Sequence, residues 1–286
     1  MAFDSKTVMR LLGGILTACL MSLAVHAQAV DPAARAALPD KNKQSGTLEV
    51  ATSLQWPPFD FKSESGQPDG IDIRLVTSLA KRLGLTPKFT DVKFPAIVPG
   101  VANGRFDIGV DQLAQTPERQ KVVQFVDYYG SSLGLLVRHG DTGVSLTDLC
   151  GHTLALTQGS SQVAVAQHLS DQCTAAGKKP IGMLYFPDSA DTYLAVANGR
   201  GDGFLTDQAV GVYIARHNDK LSMAPGTLKD TRSLAGIVVA KDNTQLVAAL
   251  RLALIDMMRD GEYQKLLTEY GVADAGVSPS EVQASP

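Results

Sequence analysis

The sequence predicts an α/β protein of two similarly built lobes, each with its own mostly parallel sheet, joined by a pair of crossing strands. Three observations carry that expectation. From Leu48 onward strand-like and helix-like segments alternate, the pattern of βαβ units. VANGRFDIGVDQ (101–112) recurs as VANGRGDGFLTDQ (196–208), as if one plan were used twice. Two short apolar runs, LGLLV (133–137) and AGIVVA (235–240), bracket the material between them and read as strands crossing from lobe to lobe, a hinge.

Each element has a local reason. LEVATS (48–53) is a short β run. In IDIRLVTSLAKRLG (71–84) apolar residues fall at 71, 75, 76, 79, 80 and 83, a helical stripe that stops at Gly84. TPKFTDV (86–92) is the next strand, residues 95–103 a short helix, and FDIGV (106–110) a further strand. In both copies of the repeat a helix ends at Asn-Gly, so Gly104 and Gly199 are natural C-caps, and a strand follows. Those strands end at Asp111-Gln112 and Thr206-Asp207. Ligands of open α/β sheets sit beyond the carboxyl ends of strands, so the repeat points at both walls of one cleft. A last helix is expected from about Gln245 to Tyr270, packed back on the first lobe.

The N-terminus is different. Lys6 and Arg10 precede an apolar run, Leu11 to Val25, that ends in small residues at Ala27 and Ala29. This reads as a secretory signal peptide; about 15 apolar residues fall short of the ~20 needed to span a membrane. Leu16-Thr17-Ala18-Cys19 resembles a lipoprotein cleavage box, but apolar Leu20, Met21 and Leu23 follow where a polar tether is usual, which favours ordinary cleavage over lipidation at Cys19. The expected division is a signal peptide (1–27), a flexible leader (28–46), a discontinuous first lobe (47–137 plus 236–275), a second lobe (138–235) and a disordered tail (276–286).

Without residues 1–27 the chain has 24 basic and 28 acidic side chains, a net charge of −4. That is no electrostatic footprint for nucleic acid or an anionic membrane. Cys150 and Cys173 form an isolated pair, most simply a disulfide in an oxidising compartment. The histidines at 26, 139, 152, 168 and 217 have no metal-ligand spacing, and no Walker, dinucleotide or nucleophile-elbow motif occurs, so no cofactor or metal is expected.

One local pattern asks for an anion. Thr116, Pro117 and Glu118 form a helix start, yet Arg119 puts a cation in the first turn, where an acid is normally favoured. A guanidinium offers a planar fork matched to a carboxylate. Gln158-Gly159-Ser160-Ser161-Gln162 opens another helix, with Ser160 or Ser161 as N-cap and Gly159 allowing close backbone approach. Asp207 ends a strand and is placed to cap the helix DQAVGVYIAR (207–216); a carboxylate in a cleft also needs a cation to offset its desolvation.

An ordered series of segments resembles the periplasmic amino-acid-binding proteins of ABC importers, solute-binding protein family 3. They are WPPFDF (56–61), GIDI (70–73), PAIVPGVANGRFDI (95–108), TPERQKVVQFVDYY (116–129), TQGSSQ (157–162), GRGDGFLTD (199–207) and MMRDGEYQKLLTEYG (257–271). The resemblance implies the type II periplasmic-binding-protein fold, and an extracytoplasmic monomer that captures an amino acid or related zwitterion for an ABC importer permease. It implies that Arg119 and the Ser160/Ser161 turn, Ser161 foremost, hold the ligand carboxylate, that Asp207 pairs with its ammonium, and that Trp56 and Phe94 sandwich its side chain. Departures from the family pattern are also visible. Ala114 lacks the usual hydroxyl, Asp111 and Gln112 bring larger polar groups to the pocket edge, and Ser53 stands where some basic-amino-acid binders carry an acid. Asp72 caps or braces the helix that follows it. A modified ligand such as an opine therefore stays open.

Two other functions are weighed. Cyclohexadienyl dehydratases are similar to these binding proteins and carry a glutamate acid shortly after the glycine turn. Here GSSQVAVAQH (159–168) offers Gln162 and no acid before Asp171, and an amide cannot supply the proton. A ligand sensor for a membrane partner is the other; no transmembrane or signalling segment follows the second lobe before Pro286, which argues against a built-in receptor.

Overall fold

The computed structural model of the chain describes residues 30–285; the expected signal peptide and the Cys19 lipidation site lie outside them. In chain order the elements are α1 (Pro32–Ala37), α2 (Asp40–Ser45), β1 (Thr47–Thr52), β2 (Gln55–Trp56), β3 (Asp60–Lys62), β4 (Pro68–Asp69), α3 (Ile71–Leu83), β5 (Thr86–Asp91), α4 (Phe94–Ala102), β6 (Ile108–Gly109) and α5 (Pro117–Gln120). Then follow β7 (Val123–Ser131), β8 (Leu133–Arg138), β9 (Thr153–Thr157), α6 (Ser161–Ala175), β10 (Gly182–Phe186), α7 (Ser189–Ala197), β11 (Gly203–Asp207), α8 (Gln208–His217), β12 (Leu221–Met223), β13 (Ser233–Ala240), α9 (Thr244–Arg259), α10 (Glu262–Glu269) and α11 (Pro279–Ala284).

Two five-stranded sheets result, ordered β5-β1-β6-β13-β7 and β10-β9-β11-β8-β12. In each, two adjacent pairs are parallel and the fourth strand runs antiparallel to both neighbours. This is the expected pair of mostly parallel sheets. The internal repeat now has a structural meaning. Asp107 accepts the Glu49 N–H at 2.9 Å, and Asp202 accepts the Thr153 N–H at 2.7 Å. Each aspartate thus ties its own strand to the neighbouring parallel strand at the same point of its sheet. Gly104 and Gly199 both lie in the left-handed region, at φ 71° and 73°, and end their helices as expected.

The lobe boundary differs from the expected one. Ser131 ends β7 in the first sheet and Leu133 begins β8 in the second, so the outgoing crossing is at Ser132 and the run 133–137 belongs wholly to lobe 2. The returning strand β13 starts at Ser233 and belongs to the first sheet throughout. The hinge is the pair of short connections flanking these strands, not the apolar runs themselves, which are apolar because each is buried inside its own sheet.

Residues 28–46 are not a flexible leader over their described part. Asp31 caps α1 by accepting from Ala33 and Ala34 N–H groups. Ala34 and Leu38 are fully buried against α3 and α9, and Arg35 donates to the Leu83 and Gly84 carbonyls at the end of α3 at 2.9 and 3.0 Å. Helix ends leave such carbonyls without partners; Arg35 satisfies them from a distant segment. The tail is ordered too: Ser278 and Glu281 form a capping box for α11, and Val282 is buried. The long C-terminal helix is two helices, because Asp260 ends α9 and Gly261 turns at φ 83° before α10. Arg82 of α3 holds that junction, paired to Asp256 at 2.5 Å, to Glu262 at 2.7 Å and to Asp260. In lobe 2 the disulfide Cys150–Cys173 is formed, tying the segment before β9 to α6 beside a core that includes Leu154, Leu156 and Leu205. Among the described residues no helix is long and apolar enough to cross a membrane.

Candidate functional site

The carboxyl ends of both sheets open into one cleft between the lobes. All ten residues singled out from the sequence (Ser53, Trp56, Phe94, Asp111, Gln112, Ala114, Arg119, Ser160, Ser161 and Asp207) line it. The enclosed space is about 50 Å³, room for a few water centres. The lobes are therefore drawn together.

Lobe 1 supplies the cation. Thr116 caps α5 through the Arg119 N–H at 3.2 Å, as the sequence suggests, but α5 has only four residues and makes no significant dipole. Arg119 turns away from it. Its guanidinium donates to the Ala114 carbonyl at 2.8 Å and, across the cleft, to the Gly159 carbonyl at 3.2 Å, and lies 5.6 Å from the Phe94 ring centroid. Ala114 thus contributes a backbone acceptor rather than a missing hydroxyl. Burial pushes the Arg119 pKa down to about 10, against an upward pull from Asp111, so it stays charged at neutral pH. No carboxylate among the described residues forms an ion pair with it.

Asp111 is at the floor rather than at the pocket edge: it is 3% exposed and accepts the Ser53 N–H at 2.8 Å. Ser53 is therefore its support. Asp60 and Asp72, both fully buried, lie close enough to Asp111 for mutual repulsion. Burial, reinforced by that repulsion, pushes Asp72 up to about 7 and Asp60 well above the carboxylate range; burial pushes Asp111 up to about 6. Asp72 neither caps α3 nor faces solvent. It accepts from Tyr128 Oη at 2.5 Å and from the Gln112 N–H at 2.8 Å, and so fixes the turn after β6. That turn holds Gln112 at φ 43°, uncommon for a side-chain-bearing residue.

Lobe 2 brings helix ends. Ser160 is the N-cap of the fifteen-residue α6 but its hydroxyl makes no capping bond, and Ser160 Oγ is buried with no hydrogen-bond partner among the described residues. The α6 N–H groups beside Arg119 are thus left for another acceptor. Asp207 caps α8, accepting the Ala209 N–H at 2.9 Å. It also accepts from Gln112 Nε2 at 2.8 Å, from Ser131 Oγ, and more weakly from Tyr129 Oη at 3.5 Å. Burial pushes Asp207 up to about 6, partly offset by these donors.

The two aromatic residues have different partners. Phe94 lies under the Arg119 guanidinium, whereas Trp56 packs edge-on to Phe204 of lobe 2, with centroids 6.2 Å apart. Trp56 Nε1 donates to Gln112 Oε1 at 2.8 Å. Several cleft residues escaped sequence reasoning, among them Thr157, Asp188, Ser189 and the strand-terminal residues Ser131 and Ser233 beside the crossings. The end of β10 followed by Pro187-Asp188 was a readable signal of the same strand-end kind. Lys93 of lobe 1 pairs with Asp188 at 2.8 Å across the cleft mouth.

Two lobes closing on a polar cleft, with a guanidinium on one wall and open helix N–H groups on the other, define a solute-binding protein. The chain belongs to the bacterial extracellular solute-binding proteins, family 3, whose family model matches residues 48–273. It is 25% identical over 258 residues to the arginine-binding protein of Corynebacterium glutamicum, covering 89% of this chain and 84% of that one. Among solved structures it is similar to an ancestral arginine-binding protein bound to arginine, with 30% identity and a TM-score of 0.71, covering 79% of this chain and 98% of that one. It is also similar to an ancestral amino-acid-binding protein described as a precursor of cyclohexadienyl dehydratase, with 29% identity and a TM-score of 0.69, covering 81% and 98%.

Proposed function

We propose that this protein is an extracytoplasmic receptor that closes on an amino acid or a related small zwitterion and presents it to an ABC importer permease. The carrying observation is that Arg119, held between carbonyls of both lobes, lies beside the uncapped start of α6. A ligand carboxylate set there accepts from a guanidinium of one lobe and from N–H and Ser160/Ser161 hydroxyl groups of the other. The ligand then favours the closed state by contacts that exist only when the lobes meet. Asp207, at the end of the equivalent strand of lobe 2, takes the ammonium; Phe94 and Trp56 flank the remainder.

Two of the relatives named above are described as arginine-binding, which supports an amino acid as the ligand. Among the described residues the cleft lining sets three carboxylates, Asp111, Asp188 and Asp207, against one cation, Arg119. The protein is not an enzyme in this reading. Gln162 lines the cleft in the stretch after the glycine turn, which holds no acid before Asp171, and a neutral amide is far too weak an acid to supply the proton. The family match supports a location outside the cytoplasm.

The test is a thermal-shift and calorimetric screen over arginine, lysine, glutamine, cystine, opines and small carboxylates. A ligand at 100 times its Kd adds about 2.7 kcal/mol of apparent stability. Silence across the amino acids overturns the proposal, and so does product formation from prephenate or arogenate.

A further inference from the structure

Gln112 is placed where a solute would be expected to act. Its side chain leaves the strand end of lobe 1 and reaches the Asp207 carboxylate of lobe 2, with Nε2 to Oδ2 at 2.8 Å. The amide orientation is dictated by its neighbours. Trp56 Nε1 is a donor only and meets Gln112 Oε1 at 2.8 Å, so the NH₂ group must face the carboxylate. The backbone is committed as well, with Gln112 at φ 43° and its N–H on Asp72. The other donors to Asp207, Ala209 N–H, Ser131 Oγ and Tyr129 Oη, come from its own helix and from β7 beside the hinge. Among the described residues, Gln112 alone brings a donor from the strand-end wall opposite.

We propose that Gln112 is a specificity-determining residue whose carboxamide occupies, as a bridge between the lobes, the position on Asp207 that a ligand ammonium would take. This rests on the reading of the cleft as an amino-acid site. When a ligand lacks a primary amine, Gln112 stays on Asp207 and no buried acceptor is left bare. When the ligand carries one, its ammonium displaces the amide and the gain is the difference between two interactions. The protein therefore discriminates weakly between an amino acid and its des-amino counterpart. Without the Gln112 side chain, the des-amino ligand would leave the buried Asp207 carboxylate without its donor from across the cleft, and a buried acceptor short of a donor penalises that ligand.

Asn and Gly both tolerate the left-handed backbone of position 112, and neither can reach Asp207 as Gln does. Gln112→Asn and Gln112→Gly are compared with the unaltered protein, with near-ultraviolet dichroism to verify folding. The probes are L-arginine and 5-guanidinovaleric acid, which is arginine without its α-amine, measured by calorimetry; the ligand-free proteins are compared by small-angle scattering. Both variants are expected to expand without ligand and to raise the affinity ratio of arginine over the des-amino acid at least tenfold. Scattering identical to the unaltered protein, or an unchanged ratio in both variants, overturns the proposal. Expansion of both variants while none of the three proteins binds either probe upholds the bridge and sinks arginine as the solute.

Discussion

Replacing Arg119 with alanine separates a binding role from a structural one. Among the described residues the guanidinium makes two hydrogen bonds to carbonyls and one ring contact, and no carboxylate forms an ion pair with it. Its burial disfavours its charge, as the lowered pKa shows. Removing it relieves a desolvated cation while losing modest contacts, so ligand-free stability should change by no more than about 1 kcal/mol. A chain of this size then shifts in Tm by about 2–4 °C. Binding is another matter. Removing one member of a buried charge pair costs on the order of 2–5 kcal/mol, roughly thirtyfold to several thousandfold in Kd. Arg119→Lys keeps the charge but not the two-pronged geometry and should fall between. Calorimetry with the best ligand of the screen, beside melting curves without ligand, reads both quantities. A Kd within threefold of the original, or a collapse of ligand-free Tm as large as the loss of binding, refutes the reasoning.

Three further outcomes are expected. Asp72 and Asp111 titrate at about 7 and 6 in the folded protein and near 4 unfolded, so the folded state holds more protons across that interval. Their contribution is fully present below about pH 4 and lost as pH rises through 6 to 7; the ligand-free Tm should fall from pH 5 to pH 8, and Asp111→Asn should flatten the profile. Reducing Cys150–Cys173, separated by 23 residues, should cost about 3 kcal/mol, and a Cys150→Ser/Cys173→Ser protein should show no response to reductant. Leu38→Ala, at a fully buried position of the N-terminal helical segment, should destabilise by about 2–5 kcal/mol; a change under 0.5 kcal/mol in a denaturant melt would restore the picture of a loose leader.

The features written in local spacing were legible: the two-lobe plan, the paired strand ends and the helix caps. Asp111 and Asp207 emerged because a seven-residue motif occurs twice, and the structure gives its aspartate one job in both sheets. The docked N-terminal segment left a fainter trace. Its buried residues, Ala34, Leu38 and Asn42, are four apart, but Pro39 interrupts the run and two of the three are small or polar. The capping box at Ser278 and Glu281 and the Asp-Gly break at 260–261 were readable and outweighed by the alanine- and serine-rich tail and the long apolar stripe. The Gln112–Asp207 contact was not legible. It joins residues 95 apart on different lobes, and exists only because the lobes meet.

Helices α1 and α11 both rest on α9, so the first and last described segments belong to the same lobe. The other lobe is an inserted body, entered after Ser131 and left before Ser233. Anchoring the molecule by either end consequently immobilises one half and leaves the other at liberty to swing. A surface-tethered sample should report the same closing rates as one free in solution, and optical tags must straddle the two bodies to register any motion.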